Sequence, residues 1–221
     1  MKKDKNAVRY MATLAMFCGI LLVMGMTGIG FIPLPVIKAT TMHIPVILGA
    51  ILLGPKAGAV LGCVFGLCSA WSNTISPTLL SFAFSPVVAM QNGGFVGLLK
   101  SLWIAIGCRT LLGVAAGWLW RLLKTWKLPD LASLSVTAAI ATITHTVLVM
   151  GSIYLMLAQQ YAAAKNVAMS AVFGLIMGTV TASGIPEAIA AAIVVAASGK
   201  ILLRILARSM EGQGKKNASC N

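Results

Sequence analysis

The property that most restricts this chain is the length of its uncharged apolar runs. Residues 131–157 contain no Lys, Arg, Asp or Glu, and residues 8–29 contain one charge, Arg9. About 20 apolar residues carry a helix across the hydrocarbon of a bilayer. A soluble fold has no place for such runs, because its surface needs charge. Ordinary domains are roughly 25% charged, whereas this chain of 221 residues is 10% charged and 59% hydrophobic. That balance excludes a disordered chain, a disulfide-stapled one and a conventional cytosolic globule. It leaves an all-α integral membrane bundle, in which each helix satisfies its own backbone in lipid.

The hydropathy pattern predicts six transmembrane helices. The first covers residues 8–29. A proline-containing connection (30–43) leads to a short second span at 44–53. Gly54-Pro55-Lys56-Ala57-Gly58 is a tight turn into a third span at 57–71. Residues 72–94 read as a long polar connection, and the fourth span as 95–119. A charged loop with Arg121, Lys124, Lys127 and Asp130 precedes the fifth span at 131–157. Residues 158–184 read as mixed, Ile185-Pro186 as a break, and 186–206 as the sixth span. Seven crossings stay open if 167–183 spans fully. One domain, 1–208, is expected, followed by a basic, disordered cytoplasmic tail at 209–221. Although the chain starts like a signal peptide, its first apolar run is longer than a typical h-region and no A-x-A-like site closes it. A retained span is expected.

Charge gives the orientation. With six spans and both termini inside, the inner segments hold Lys2, Lys3, Lys5, Arg9, Lys56, Arg121, Lys124, Lys127, Lys200, Arg204, Arg208, Lys215 and Lys216, which is 13 of the 17 cations. The outer loops hold Lys38 and Lys165, and Lys100 and Arg109 fall within the fourth span. The positive-inside rule therefore predicts cytoplasmic N and C termini in a cell membrane. A seventh crossing would put the tail's cations outside, which counts against it. The net charge of +13 reads as topology and contact with anionic lipid, not as nucleic-acid binding.

Small residues recur every four positions: Gly54, Gly58, Gly62, Gly66 and Ala70; Gly113 and Gly117; Ala188, Ala192 and Ala196; Ala15 and Gly19. Such ridges let helix backbones approach closely. Packing within the chain is the default for each, and one ridge could dock a partner. The five cysteines (Cys18, Cys63, Cys68, Cys108, Cys220) have no metal-ligand spacing and read as small apolar side chains.

Ionisable groups within spans are costly and are candidates for function. Arg109 sits mid-span, either as a helix-bridging cation or as a ligand contact. Lys100 can snorkel outward. Glu187 follows Pro186 in the first turn of the last span, where it could serve the helix dipole, a ligand or Arg109. His145 lies in the polar stretch Thr142-Ile143-Thr144-His145-Thr146. On the six-span topology His43, Asn73, Asn92 and Glu187 fall near outer ends and could converge on an outward pocket. Catalytic signals are weak. There is no G-x-x-x-x-G-K-[ST], no H-E-x-x-H, no G-x-S-x-G and no pair of intramembrane carboxylates. No metal site, cofactor or catalytic residue is expected, and the chain reads as a non-enzyme.

The stretch from His43-Ile44-Pro45 through Gly54-Pro55-Lys56-Ala57-Gly58 to Gly62, with Ser183-Gly184-Ile185-Pro186-Glu187-Ala188-Ile189, resembles the S components of energy-coupling factor (ECF) vitamin transporters. The resemblance extends over nearly the whole chain. It implies a membrane-embedded substrate-binding subunit that captures a water-soluble vitamin from outside. Such a subunit docks on a transmembrane coupling subunit driven by two ATPase subunits and topples to release the ligand inside. The family docks through Ala-x-x-x-Ala in its first helix, and Ala15-x-x-x-Gly19 stands in that place here. Thr41-Met42-His43-Ile44-Pro45, Asn73-Thr74, Ser85-Pro86, His145-Thr146 and Gly184-Ile185-Pro186-Glu187-Ala188 look most like the pantothenate-type branch. The substrate contacts expected from topology and the rarity of intramembrane polar groups are His43, Asn73, Asn92, Arg109, His145 and Glu187, and Arg109 or Lys100 is the natural counter-ion for a carboxylate such as pantothenate. Riboflavin is the alternative vitamin. A self-sufficient ion-coupled carrier and an intramembrane lipid enzyme using His145 or Glu187 are the alternatives from other classes.

Overall fold

The computed structural model describes the backbone of residues 2–28, 30–33 and 38–218, and side chains over 7–28, 30 and 40–205. Its helices are α1 (Lys2–Thr27), α2 (His43–Leu53), α3 (Pro55–Ile75), α4 (Ser81–Phe84), α5 (Pro86–Leu102), α6 (Cys108–Thr125), α7 (Asp130–Lys165), α8 (Val172–Thr179) and α9 (Ile185–Ala218). The connection after α1 carries a two-stranded antiparallel ribbon, β1 (Phe31–Pro33) with β2 (Lys38–Thr40). Among the described residues five helical stretches are long and apolar enough to cross a membrane: Ala7–Thr27, Pro55–Ile75, Pro86–Thr125, Asp130–Lys165 and Met169–Ile205. The eleven-residue α2 is the shorter apolar helix, and it is buried along most of its length. Its neighbours, not its own length, shield it from lipid.

Two expected connections prove largely helical. Residues 72–94 continue α3 to Ile75 and then form α4 and most of α5. The reason is local. The Ser85 side chain accepts from the Val88 N–H and Pro86 takes the first helical position, so a capped helix starts at once. Gly94 kinks α5 with φ +59°, a conformation that favours glycine. Similarly, Ile185-Pro186 does not break the last helix. A π-helical turn, Val180–Gly184, joins α8 to α9 and absorbs the hydrogen bond that proline cannot donate. Residues 169–183 therefore belong to the same helical rod as the last span, the 37-residue stretch Met169–Ile205. At 1.5 Å per residue it is about 55 Å long, well beyond the roughly 30 Å hydrocarbon core. The backbone helix of α9 also runs through most of the basic segment 209–221, whose side chains lie outside the described residues.

The glycine ridge of α3 packs inside the chain, antiparallel to α6. A Cβ on Gly58 would strike the Gly113 carbonyl, one on Gly62 the Arg109 carbonyl, and one on Gly66 the Ala105 carbonyl. In return, a Cβ on Gly113 would strike the Gly58 carbonyl, and one on Gly117 the backbone of Pro55. The two backbones thus touch with nothing between them. At the basic end of this pair Gly54 (φ +94°) makes the α2–α3 turn, with the Arg121 guanidinium laid against it. Lys124 pairs with Asp130 across the α6–α7 loop.

Two hydrophobic cores result. One, near the basic end, gathers Phe17, Leu21, Val46, Ile47, Leu61, Leu112, Leu134 and Val195. The other lies toward the opposite end and gathers Leu80, Phe84, Ile104, Val149, Ile153, Leu157, Tyr161 and Ile176. The described cysteines, Cys18, Cys63, Cys68 and Cys108, are free thiols within these helices.

The ridge yields a paired test. Gly58→Ala is expected to destabilise the protein by about 1–3 kcal/mol, because the methyl meets backbone. Gly19→Ala, where a Cβ meets open space, is expected to be neutral or stabilising by up to about 1 kcal/mol. Thermal unfolding of both variants in detergent measures the difference.

Candidate functional site

Between the two cores, away from the basic end, lies a cavity. It is lined by Thr40 of β2, Ser69 and Asn73 of α3, Thr78 and Leu80 of the α3–α4 connection, Phe84 of α4, Arg109 of α6, His145, Thr146, Val149 and Met150 of α7, and Thr179, Ser183 and Glu187 of the α8–α9 rod. Its empty space is about 670 Å³, open solvent at the mouth included.

Arg109 dominates its chemistry. The residue is 4% exposed. It follows a second π-helical turn, Trp103–Gly107, and its Nη1 donates to two carbonyls of that turn, Ile104 O at 3.1 Å and Ala105 O at 3.0 Å. The guanidinium carbon lies 4.8 Å from the centre of the Phe65 ring and 5.1 Å from that of Phe84. At these distances the ring faces attract a cation. The Nε, by contrast, is buried without a hydrogen-bond partner. Buried polar atoms nearly always have partners, and this edge of the guanidinium has a donor free to meet an acceptor. With Nη1 committed to carbonyls, a carboxylate would meet the side where the Nε–H and an Nη2–H run parallel.

The other groups around Arg109 are short neutral donors and acceptors, and some are already occupied. Asn73 Nδ2 donates to Ser69 O at 2.9 Å, and its Oδ1 accepts from Ser81 Oγ at 2.9 Å. Thr74 Oγ1 and Ser85 Oγ lie 2.7 Å apart, and the Thr78 N–H donates to Ser81 Oγ at 2.7 Å. Together these bonds fasten α4 to the end of α3. The His145 ring centre is 6.2 Å from that of Phe65, and its Nδ1 is buried without a partner. Thr146 Oγ1 donates to Thr142 O. Glu187 is half-buried, and among the described residues it forms no ion pair with Arg109.

Of the residues named from sequence, Asn73, Arg109, His145 and Glu187 come together on this cavity. His43 is buried at the start of α2 with its Nε2 unpartnered, but it is not among the lining side chains. Asn92 is exposed on α5, away from the lining. Lys100, considered as a counter-ion, instead donates to Met156 O at 3.0 Å, beside the kink of α7 at Leu157. Ala15 is exposed on α1, and Gly19 faces open space. Sequence reasoning missed Phe65, Phe84, Ser69, Thr40, Thr78, Thr179 and Ser183. Ser85-Pro86 carried the available signal, because a helix starting there brings the preceding residue, Phe84, back onto the bundle.

Helices long and apolar enough to cross a membrane, around a cavity that holds a buried cation and several neutral polar groups, are the features expected of a membrane-embedded solute-binding protein. The comparisons with known proteins give the class a family. The profile of the ECF transporter substrate-specific component family matches residues 9–198. The chain is also 38% identical over 161 residues, 70% of its own length and 76% of the relative's, to the pantothenic acid transporter PanT of Lactococcus lactis subsp. cremoris (strain MG1363). The chain belongs to the ECF transporter substrate-specific component family, and is a vitamin-binding subunit of a multi-pass membrane transporter.

The position of Lys100 generates a control. Lys100→Met is expected to cost roughly 1 kcal/mol through the lost bond to Met156 O, while ligand affinity stays within about twofold because the side chain is off the cavity. Thermal unfolding and isothermal titration on the same sample read the two quantities.

Proposed function

We propose that this chain captures pantothenate from outside the cell and delivers it through an ECF module. The ligand's single carboxylate meets the Nε edge of Arg109, and its hydroxyls and amide meet the neutral groups and Glu187 around the cavity. The observation that carries this reading is the buried guanidinium with one unmet donor on a small polar cavity. A bidentate Arg–carboxylate pair in a desolvated site is both strong and geometrically selective. The relative named as a pantothenic acid transporter supports the choice of vitamin. Riboflavin fits less well, because a flavin has no carboxylate for the cation to meet.

The remaining parts of the reading follow from family and charge. α2 counts as the sixth, short membrane segment, and both termini are cytoplasmic, with Lys56, Arg121, Lys124 and Lys127 at one end of the bundle as the positive-inside rule requires. The chain performs no catalysis. A transmembrane coupling subunit and two ATPase subunits supply the transport cycle. Docking uses α1, which is mostly unburied and keeps Ala15 and Gly19 on an open face. Small residues on an unpacked face of a helix let another helix approach.

Isothermal titration with purified protein tests the substrate. Arg109→Ala is expected to weaken pantothenate binding at least about 100-fold, as for a lost charged hydrogen-bond pair, and Arg109→Lys by at least about tenfold through loss of the fork. Unchanged affinity in both variants removes Arg109 from the site. For docking, Gly19→Leu is expected to abolish co-purification with the coupling and ATPase subunits while leaving pantothenate affinity within about twofold. Intact assembly in that variant would exclude this face of α1.

A further inference from the structure

We propose that Phe84 is a specificity-determining residue: held over Arg109 by the α4 staple, it sets the guanidinium's edge for a carboxylate and so decides whether the site prefers the acid to its neutral analogues. The proposal rests on the carboxylate reading above and adds to it a part of the chain that the reading does not need.

The geometry runs in one chain of contacts. α4 is four residues long and has no stability of its own. It stays in place through hydrogen bonds to the end of α3, Ser81 to Asn73 at 2.9 Å and Ser85 to Thr74 at 2.7 Å. Asn73 is 4% exposed, and both ends of its amide are already engaged, by Ser69 and Ser81. It therefore acts as a positioning residue that pins α4. The last residue of α4, Phe84, then faces the guanidinium at 5.1 Å while lining the cavity itself. Phe65, on the rigid α3–α6 pair, supplies the second ring at 4.8 Å.

Two carbonyls fix Nη1 and two rings restrain the plane, so the orientation of the Nε edge depends on both rings being present. Of the two, Phe84 belongs to the short segment, which adds hydrogen bonds from hydroxyls and an amide to its apolar burial. Its removal leaves the charge in the cavity but frees the fork to rotate. A bidentate carboxylate suffers most from that loss, because it needs both N–H vectors parallel. A ligand carrying a hydroxymethyl group in place of the carboxylate needs no fork and suffers little.

The test compares pantothenate with pantothenol, in which –CH2OH replaces –COO⁻, by isothermal titration. The wild type is expected to prefer pantothenate strongly. Phe84→Leu is expected to weaken pantothenate about tenfold, the scale of a desolvated cation–π contact, and pantothenol less than about threefold, so that the preference shrinks. Phe84→Tyr, which keeps the ring face, is expected to restore it. Ser81→Ala, which cuts the staple without touching the cavity wall, is expected to shift the preference in the same direction. Equal weakening of both ligands by Phe84→Leu means the residue only fills space and overturns the proposal. If Phe84→Leu does not fold, an unchanged preference in Ser81→Ala overturns it instead. A wild type that binds pantothenate and prefers it, with variants that keep that preference, defeats this inference alone. A wild type that binds neither ligand defeats the proposed function.

Discussion

The structure depends on backbone meeting backbone between α3 and α6. At glycines 58, 62, 66, 113 and 117 the nearest atoms are backbone of the facing segment, so the two helices approach as closely as their carbonyls permit. The same contact places the site. Gly62 rests against the carbonyl of Arg109 itself, and Gly66 against that of Ala105, one of the two carbonyls that hold the guanidinium. Phe65, between these glycines, projects to the Arg109 side chain. A larger residue on the ridge would therefore move the cation and one of its rings together. Stability and recognition here share one surface.

Irregular helix geometry does the rest. The π turn at Trp103–Gly107 supplies the carbonyls for Arg109, and the π turn at Val180–Gly184 lets the chain pass Pro186 without leaving the helix, so that Thr179, Ser183 and Glu187 all reach the cavity from one rod. Wide turns of this kind are often found at functional sites. In this protein each sits beside the cavity, where a straight α-helix would offer the wrong face.

Much of this was legible in the sequence, and unevenly so. The apolar runs gave the helical membrane class, and the four-residue glycine spacing gave a close-packed ridge, because both are periodic signals with few rivals. The rarity of ionisable residues in those runs singled out Arg109, His145 and Glu187, and all three line the cavity. Asn73 was also found, though its amide is spent on Ser69 and Ser81. The polar stretch 72–94 misled, because polarity suggested a loop while Ser85-Pro86 encoded a helix start. Pro186 misled for the opposite reason: a residue that usually ends helices was accommodated by a wide turn. Phe65 and Phe84 were invisible as site residues, since one aromatic in an apolar chain resembles any other. Only the fold shows which rings face a cation.

The division into two cores has a kinetic meaning. The core near the basic end is built on backbone contact and large aliphatic side chains. The other is completed by Leu80, Phe82 and Phe84, which reach it from a single helical turn fastened by hydroxyl groups. Amide exchange should therefore divide the molecule in two, with slow protons along α2, α3 and α6 and faster ones over 76–86. The end that carries the cavity is thus the end whose wall rests on a short hydroxyl-fastened turn, while the backbone contact of α3 and α6 lies outside that turn.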